Sequence, residues 1–286
     1  MQLLTSLPIC HAIYERILAK SDIVRSQVHL AVILVGNDAR SLRFVFHKEK
    51  KARELGYQFT LNQLEADCSE QEVINAIIKL NHDPCVTGIL LQLPLPQTMR
   101  TWDITRHIDP KKDVDCLTPY RMGSFTTGQG LIYPGTAKAI ELICQFYKIQ
   151  PQGKHVLILG DSNLVGKPAA LWCLQNQATI TVCNEYTPCL QKLTQNADII
   201  ISATGKKGLI SPHWLHAQHI IFDIGIHVHE KKVTGDLDCQ ETRDRVAKIT
   251  PVPGGIGPLT VAVLMDHLLQ LQSNHQGPLL WDPKMT

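Results

Sequence analysis

The chain has 286 residues, 44% of them hydrophobic and 19% charged, a composition that suits a soluble globular protein with enough chain for two cores. Its formal charge of +2 excludes an overall basic field for nucleic acid, and its longest apolar runs, such as 86-VTGILLQLPLP-96, are too short and too proline-rich to span a bilayer. Nine cysteines, an odd number with no C-x-x-C or C-x-x-H spacing, argue for reduced thiols in a cytoplasmic setting and against a structural zinc site, so no metal is expected.

The first twenty residues have no basic n-region and meet Glu15 early, so they do not read as a signal or transit peptide. The run 28-VHLAVILVG-36 reads as a buried strand that stops at the turn signal Gly36-Asn37-Asp38. Residues 40–55 read as a helix, on which Phe44 and Lys48 are four apart and share a face. A solvated outer face is the ordinary place for such a lysine. A strand over 57–64, a helix over 69–80 and a strand over 86–93 follow. This alternation predicts a parallel sheet with crossover helices. Residues 108–130 are rich in turn formers and read as a loop, and 136–149 reads as a helix connecting two domains. A second alternating set has a strand over 155–160, a helix from about 164, and strands over 178–183, 197–204 and 219–225. The tail, 259–272, reads as an amphipathic helix. There is no internal repeat and no low-complexity segment.

Chemistry can sit at four places. In 155-HVLILGDSNLVGKPAALWC-173 a glycine turn follows a buried strand and opens a helix, whose first amides could face a pyrophosphate. The spacing from Gly160 to Gly166, with Ser162 inside it, is G-x-S-x-x-x-G, which alone is also compatible with an ordinary βα turn. Glu185 stands just past the next strand, about where a dinucleotide fold places the acid that holds the ribose 2′-hydroxyl. A solvated loop glutamate is the alternative. Gln92 interrupts an apolar strand immediately before prolines, either bonded to backbone at a strand end or turned toward a ligand. In 250-TPVPGGIGPLT-260 three glycines between two prolines let backbone approach a ligand closely, ahead of a helix.

Together GILLQLPLP, DPKKDVD, SNLVGKP, ADIIISATGKKGLI and TPVPGGIGPLTVAVL, in that order, resemble methylenetetrahydrofolate dehydrogenase/cyclohydrolase, a bifunctional folate enzyme. VGND-x-x-S with Lys48 beyond it fits as well. The resemblance covers about residues 28–272, and the first 25 residues match poorly. It implies an α/β protein of two domains, a folate-binding α/β domain and a Rossmann-type dinucleotide-binding domain with a cleft between them. The implied boundaries are 1–135 plus 265–286 for the first and 136–264 for the second. Lys48 would be the acid/base residue facing that cleft, Gln92 its support, and Asp115 the residue that holds the pterin ring. Phe44, Leu91, Leu93 and the loop Pro253, Gly254, Gly255, Ile256 and Gly257 would line the folate site. Gly160, Asp161, Ser162, Glu185 and Ile226 would hold NAD or NADP. A tetrahydrofolate derivative is the implied substrate and a homodimer the implied assembly, with no nucleic-acid or membrane partner.

The chain departs from the family pattern at functional positions. Phe44 replaces a tyrosine, Cys116 a glycine, and 134-PGTAKA-139 stands for P-C-T-P-x-G. Asp161 replaces the usual arginine or a neutral residue, and Cys183-Asn184-Glu185 replaces C-H-S. Asp161 and Glu185 together disfavour a 2′-phosphate and so favour NAD. Two readings follow: an oxidoreductase of 5,10-methylenetetrahydrofolate with weakened hydrolysis to 10-formyltetrahydrofolate, or a paralogue that binds folate or nucleotide without turnover. A Rossmann dehydrogenase of another small substrate leaves QLPLP and PGGIGP unexplained.

Overall fold

The computed structural model describes residues 1–229, 232–237, 239–242 and 244–274. In chain order its strands are β1 (Gln2–Leu3), β2 (His29–Val35), β3 (Gln58–Leu64), β4 (Gly88–Leu91), β5 (His155–Leu159), β6 (Thr179–Cys183), β7 (Ile199–Ser202), β8 (Ile220–Asp223), β9 (His227–His229), β10 (Lys232–Thr234) and β11 (Lys248–Ile249). The chain divides into two compact units. Among the described residues, one holds 13–132 and 264–274; the other holds 1–12 and 133–263.

The first unit is built on a parallel sheet in the order β3-β2-β4. β2 is central and buried on both faces, which is why its sequence is a continuous apolar run rather than an alternation. The crossover helices Ala39–Glu54 and Glu70–His82 begin at side-chain caps, Asp38 accepting from the Ser41 amide and Ser69 sharing a capping box with Glu72. Val73 and Ile77 of the second helix pack on Ile33, Ile89 and Leu91. Inside the stretch expected to be a loop lies a helix, Pro119–Thr126, started by the Thr118 side chain and a proline in its first turn. Its eight residues include Gly123, Ser124 and Thr126, so no apolar period marked it.

The helix Ile256–Asn274 ends the described chain. From Leu264 onward it belongs to the first unit: Tyr57 donates to the Met265 carbonyl (3.3 Å), Arg16 pairs with Asp266 (2.7 Å) and Thr87 donates to Gln272 (2.8 Å).

The second unit has a parallel sheet in the order β1-β11-β8-β7-β5-β6 and an antiparallel hairpin, β9 with β10. Successive strands leave β5 to opposite sides, so a topological switch point falls at the carboxyl ends of β5 and β7, where doubly wound sheets bind ligands. Two sequence expectations are corrected here. Residues 1–12 run with this unit, because β1 pairs in parallel with β11. The supposed connector, seen as the helix Gly135–Phe146, is part of the same unit, with Ala139, Ile140 and Ile143 fully buried. Among the described residues no helix is long and apolar enough to cross a membrane.

Gly88 shows how closely the first unit is packed. A methyl group there would lie 2.1 Å from Val114 Cγ1 and 2.6 Å from Leu268 Cδ2. Gly88→Ala should therefore destabilise the protein by about 1–3 kcal/mol, read as a lower urea midpoint. A Val114→Ala background should recover part of the loss. An unchanged midpoint in the single variant would show that the C-terminal helix moves aside at little cost.

Candidate functional site

In the first unit, the helix after β2 and the end of β4 bring Lys48 and Gln92 together. Lys48 Nζ donates to Gln92 Oε1 at 2.9 Å, and Gln92 Nε2 donates to the Leu93 carbonyl at 2.7 Å. Gln92 is only 6% exposed, and its own amide donates to the Ile33 carbonyl, so its side chain is fixed at both ends. Burial pushes the Lys48 amine below the ordinary lysine range, while the Asp115 carboxylate pulls it back up. Phe44, one turn before Lys48, is 36% exposed.

Asp115 is presented by a loop that Lys112 and Asp113 shape. Lys112 is buried, and its amine donates to the carbonyls of Leu80 (2.9 Å) and Asp83 (2.6 Å), capping the end of the helix Glu70–His82. Asp113 is fully buried and accepts from the amides of Asp115, Leu117 and Thr118 at 3.3, 3.0 and 2.7 Å. Cys116, standing where the family has glycine, adopts φ +58°, the left-handed region that glycine enters without strain. Val114 is bound from the other side, where His267 Nδ1 lies 3.0 Å from its carbonyl oxygen. The resemblance carried by DPKKDVD marked Asp115; nothing in the sequence marked Asp113 as the residue that folds the loop.

Of the two leucines expected beside Gln92, only Leu93 presents surface. Leu91 is 1% exposed and belongs to the core, because β4 is buried on both faces.

In the second unit Gly160 takes φ +103°, and a methyl group on it would lie 2.6 Å from the Ala203 carbonyl oxygen. A methyl group on Gly166 would lie 1.9 Å from the Gly160 oxygen, so both glycines are required by the tight turn. Ser162 Oγ accepts from the amides of Val165 (3.2 Å) and Gly166 (3.4 Å). It thereby occupies the first amide of the helix Gly166–Gln175, whose N-cap residue, Val165, makes no side-chain cap, so that amide is not simply open as the sequence suggested. At the neighbouring strand end Asn184 Nδ2 donates to Asp161 Oδ2 at 3.2 Å, and Glu185 and Asp161 are both exposed. Two carboxylates therefore stand at the carboxyl ends of β5 and β6. Ile226 is half-buried in the turn between β8 and β9.

Behind that turn lies a network the sequence reading did not find. Asp236, 2% exposed, accepts from Ser202 Oγ (2.8 Å), Thr204 N (3.1 Å) and Thr204 Oγ1 (3.0 Å), and meets His227 Nε2 at 2.9 Å. Asp223, fully buried, accepts from the amides of Gly225, Asp236 and Leu237, each at 3.0 Å. Methyl groups on Gly225 and Gly235 would fall 2.0 Å from these carboxylates, which explains both glycines. The loop of residues 253–257 is also in this unit. Gly254 (φ +105°) accepts at its carbonyl from Ser6 N (2.9 Å) and Ser6 Oγ (3.1 Å), so the N-terminal segment braces it.

Fold and residues define a two-unit α/β protein, with a doubly wound nucleotide-type sheet in one unit and a desolvated lysine in the other. The family's sequence models match both parts: the catalytic domain of tetrahydrofolate dehydrogenase/cyclohydrolase over residues 4–115, and its NAD(P)-binding domain over residues 134–276. The chain belongs to the tetrahydrofolate dehydrogenase/cyclohydrolase family. Among its relatives, the bifunctional protein FolD of Lactobacillus acidophilus is 39% identical over 249 residues, covering 87% of this chain and 88% of that protein. The crystal structure of the bifunctional methylenetetrahydrofolate dehydrogenase/cyclohydrolase from Campylobacter jejuni is similar with a TM-score of 0.91 at 34% identity, covering 96% of this chain and 99% of the other. The Trypanosoma brucei enzyme, complexed with NADP and an inhibitor, gives a TM-score of 0.90 at 27% identity, with 96% and 97% covered. These relatives are bifunctional enzymes, and the reading as a paralogue without turnover finds no support among them.

Burial raises the Asp223 carboxyl from 3.8 to about 6, against the amide bonds that favour its charged form. The folded state therefore holds this proton more tightly than the unfolded chain does. The stability contributed by the group is fully present below about pH 4 and is lost as pH rises through about 6. A carboxyl-carbon NMR titration of Asp223 should show a midpoint near 6. A midpoint at the ordinary aspartate value would mean that the three amide bonds outweigh burial.

Proposed function

We propose that the protein oxidises 5,10-methylenetetrahydrofolate to the 5,10-methenyl form with a nicotinamide dinucleotide, and hydrolyses that product to 10-formyltetrahydrofolate. The observation that carries this reading is the Lys48–Gln92 bond at 2.9 Å, made by an amine that burial pushes toward its neutral form. The dinucleotide supplies the hydride acceptor when bound. Hydride loss leaves a cationic methenyl carbon, so the first step asks the chain to position the substrate rather than to move a proton.

The hydrolytic step does need proton transfer. Water adds to the methenyl carbon and gives up a proton; the bond from that carbon to N5 then breaks, and N5 takes a proton. Lys48 is the group for both transfers, because an amine held below its usual pKa accepts and returns a proton more readily than an ordinary lysine. Gln92 orients that amine by its fixed carbonyl oxygen. Asp115 would hold the pterin ring and keep the Lys48 amine from losing its proton too readily. Leu93, Phe44 and the loop Pro253, Gly254, Gly255, Ile256 and Gly257 supply surface to the folate.

Gly160, Asp161, Ser162, Glu185 and Ile226 are assigned to the dinucleotide, with NAD preferred over NADP because Asp161 and Glu185 repel a 2′-phosphate. The exposed side chains of Leu3 and Leu7, on and beside the edge strand β1, support a homodimer. Cys116, Cys144 and Cys173 are buried and form no disulfide, which accords with a cytoplasmic setting.

Lys48→Met should lower the hydrolytic rate by roughly 100- to 10,000-fold while the thermal midpoint is kept. Absorbance of methenyltetrahydrofolate, followed as it forms and as it decays, reads both steps. Undiminished hydrolysis would return Lys48 to an ordinary surface role.

Phe44 lacks the hydroxyl that the family carries one turn before the lysine. Phe44→Tyr should raise hydrolysis by roughly 5- to 150-fold, the range of one charge-assisted hydrogen bond, and change the dehydrogenase rate less. Equal changes in the two rates would show that residue 44 serves binding alone.

A further inference from the structure

Three successive carboxyl ends of the second sheet carry charged side chains: Asp161 after β5, Glu185 after β6 and Lys206 after β7. Lys206 Nζ lies 3.8 Å from Glu185 Oε2, and the two side chains are 65% and 61% exposed. An exposed pair of this kind contributes little to stability. Its place at the strand ends is what matters, since a bound ribose would meet it there.

The backbone under Lys206 is built rather than loose. Its amide donates to Thr204 Oγ1 (3.1 Å), and Thr204 is held through both N and Oγ1 by the buried Asp236. Gly205 takes φ +62° to close this turn. Lys167, the cation in the first turn of the helix after Gly160, is already bonded to Asn163 Oδ1 at 2.6 Å. Lys206 is therefore the cation positioned against the acid at residue 185.

We infer that Lys206 is a specificity-determining residue for the dinucleotide, masked by Glu185. In the wild-type chain the Glu185 carboxylate stands 3.8 Å from the ammonium and offsets its charge where a 2′-phosphate would bind. Removing Glu185 releases Lys206 to bind a phosphate dianion. The inference rests on the reading of this turn as the dinucleotide site.

Calorimetric titration of the full chain with NAD and with NADP tests it. Wild type should bind NAD more tightly than NADP. Glu185→Ser should tighten NADP by roughly 5- to 10-fold and weaken NAD. Adding Lys206→Met to Glu185→Ser should remove most of the NADP gain, leaving only the relief of the Glu185 repulsion, whereas adding Lys207→Met should leave the gain whole. A gain undiminished by Lys206→Met overturns the inference while leaving the dinucleotide site in place. Binding of neither dinucleotide to wild type overturns both the site and the inference.

Discussion

Asp113 is wholly buried, and its two oxygens take amide hydrogens from Asp115, Leu117 and Thr118. A carboxylate in that position is stable only because the chain folds around it. That folding turns Asp115 out of the core to a place where its charge is felt by Lys48. The surroundings make the arrangement stiff: Lys112 holds the preceding helix end, the Ile89 amide donates to the Lys112 carbonyl, and Val114 fills the space that Gly88 leaves. Site and core share these atoms.

The charge state of Lys48 then depends on two opposed effects of similar kind. Removing water disfavours the ammonium; a nearby carboxylate favours it. An amine subject to only the first would stay neutral and give up no proton, and one subject to only the second would stay charged and accept none. Gln92 adds direction without charge, since its oxygen can accept from either form of the amine. The second unit uses buried acids differently. Asp223 and Asp236 hold backbone and hydroxyl groups at the ends of β7 and β8, and they act by satisfying donors rather than by exchanging protons.

Strong period and strong punctuation were legible in the sequence. β2 announced itself as a continuous apolar run, and its end by the turn signal Gly36-Asn37-Asp38. The motifs QLPLP and PGGIGP led to Gln92 and to the bent loop at Gly254. What stayed hidden depends on partners distant in the chain. A two-residue strand such as β1 has no periodicity, and only β11, nearly 250 residues later, makes it a strand. Helix Pro119–Thr126 is too short and polar to show an apolar face. Leu91 and Leu93 look equivalent beside Gln92, and only the packing of β4 separates the core residue from the half-buried one. Lys206 could not be matched with Glu185, because sequence alone does not bring two strand ends together.

The chain does not finish its units in the order in which it is written. The family's two sequence models run contiguously over 4–115 and 134–276, yet residues 1–12 complete the second unit and the chain from 264 completes the first. During synthesis the segment bearing Lys48 emerges early, but Val114 and Gly88 stay uncovered until Leu268 arrives. β1 likewise waits with an unpaired edge until β11 is made. Domains commonly fold as the ribosome delivers them; here neither unit can close until almost all of the other has been translated. Connectivity alone thus delays the closing of both units until late in synthesis.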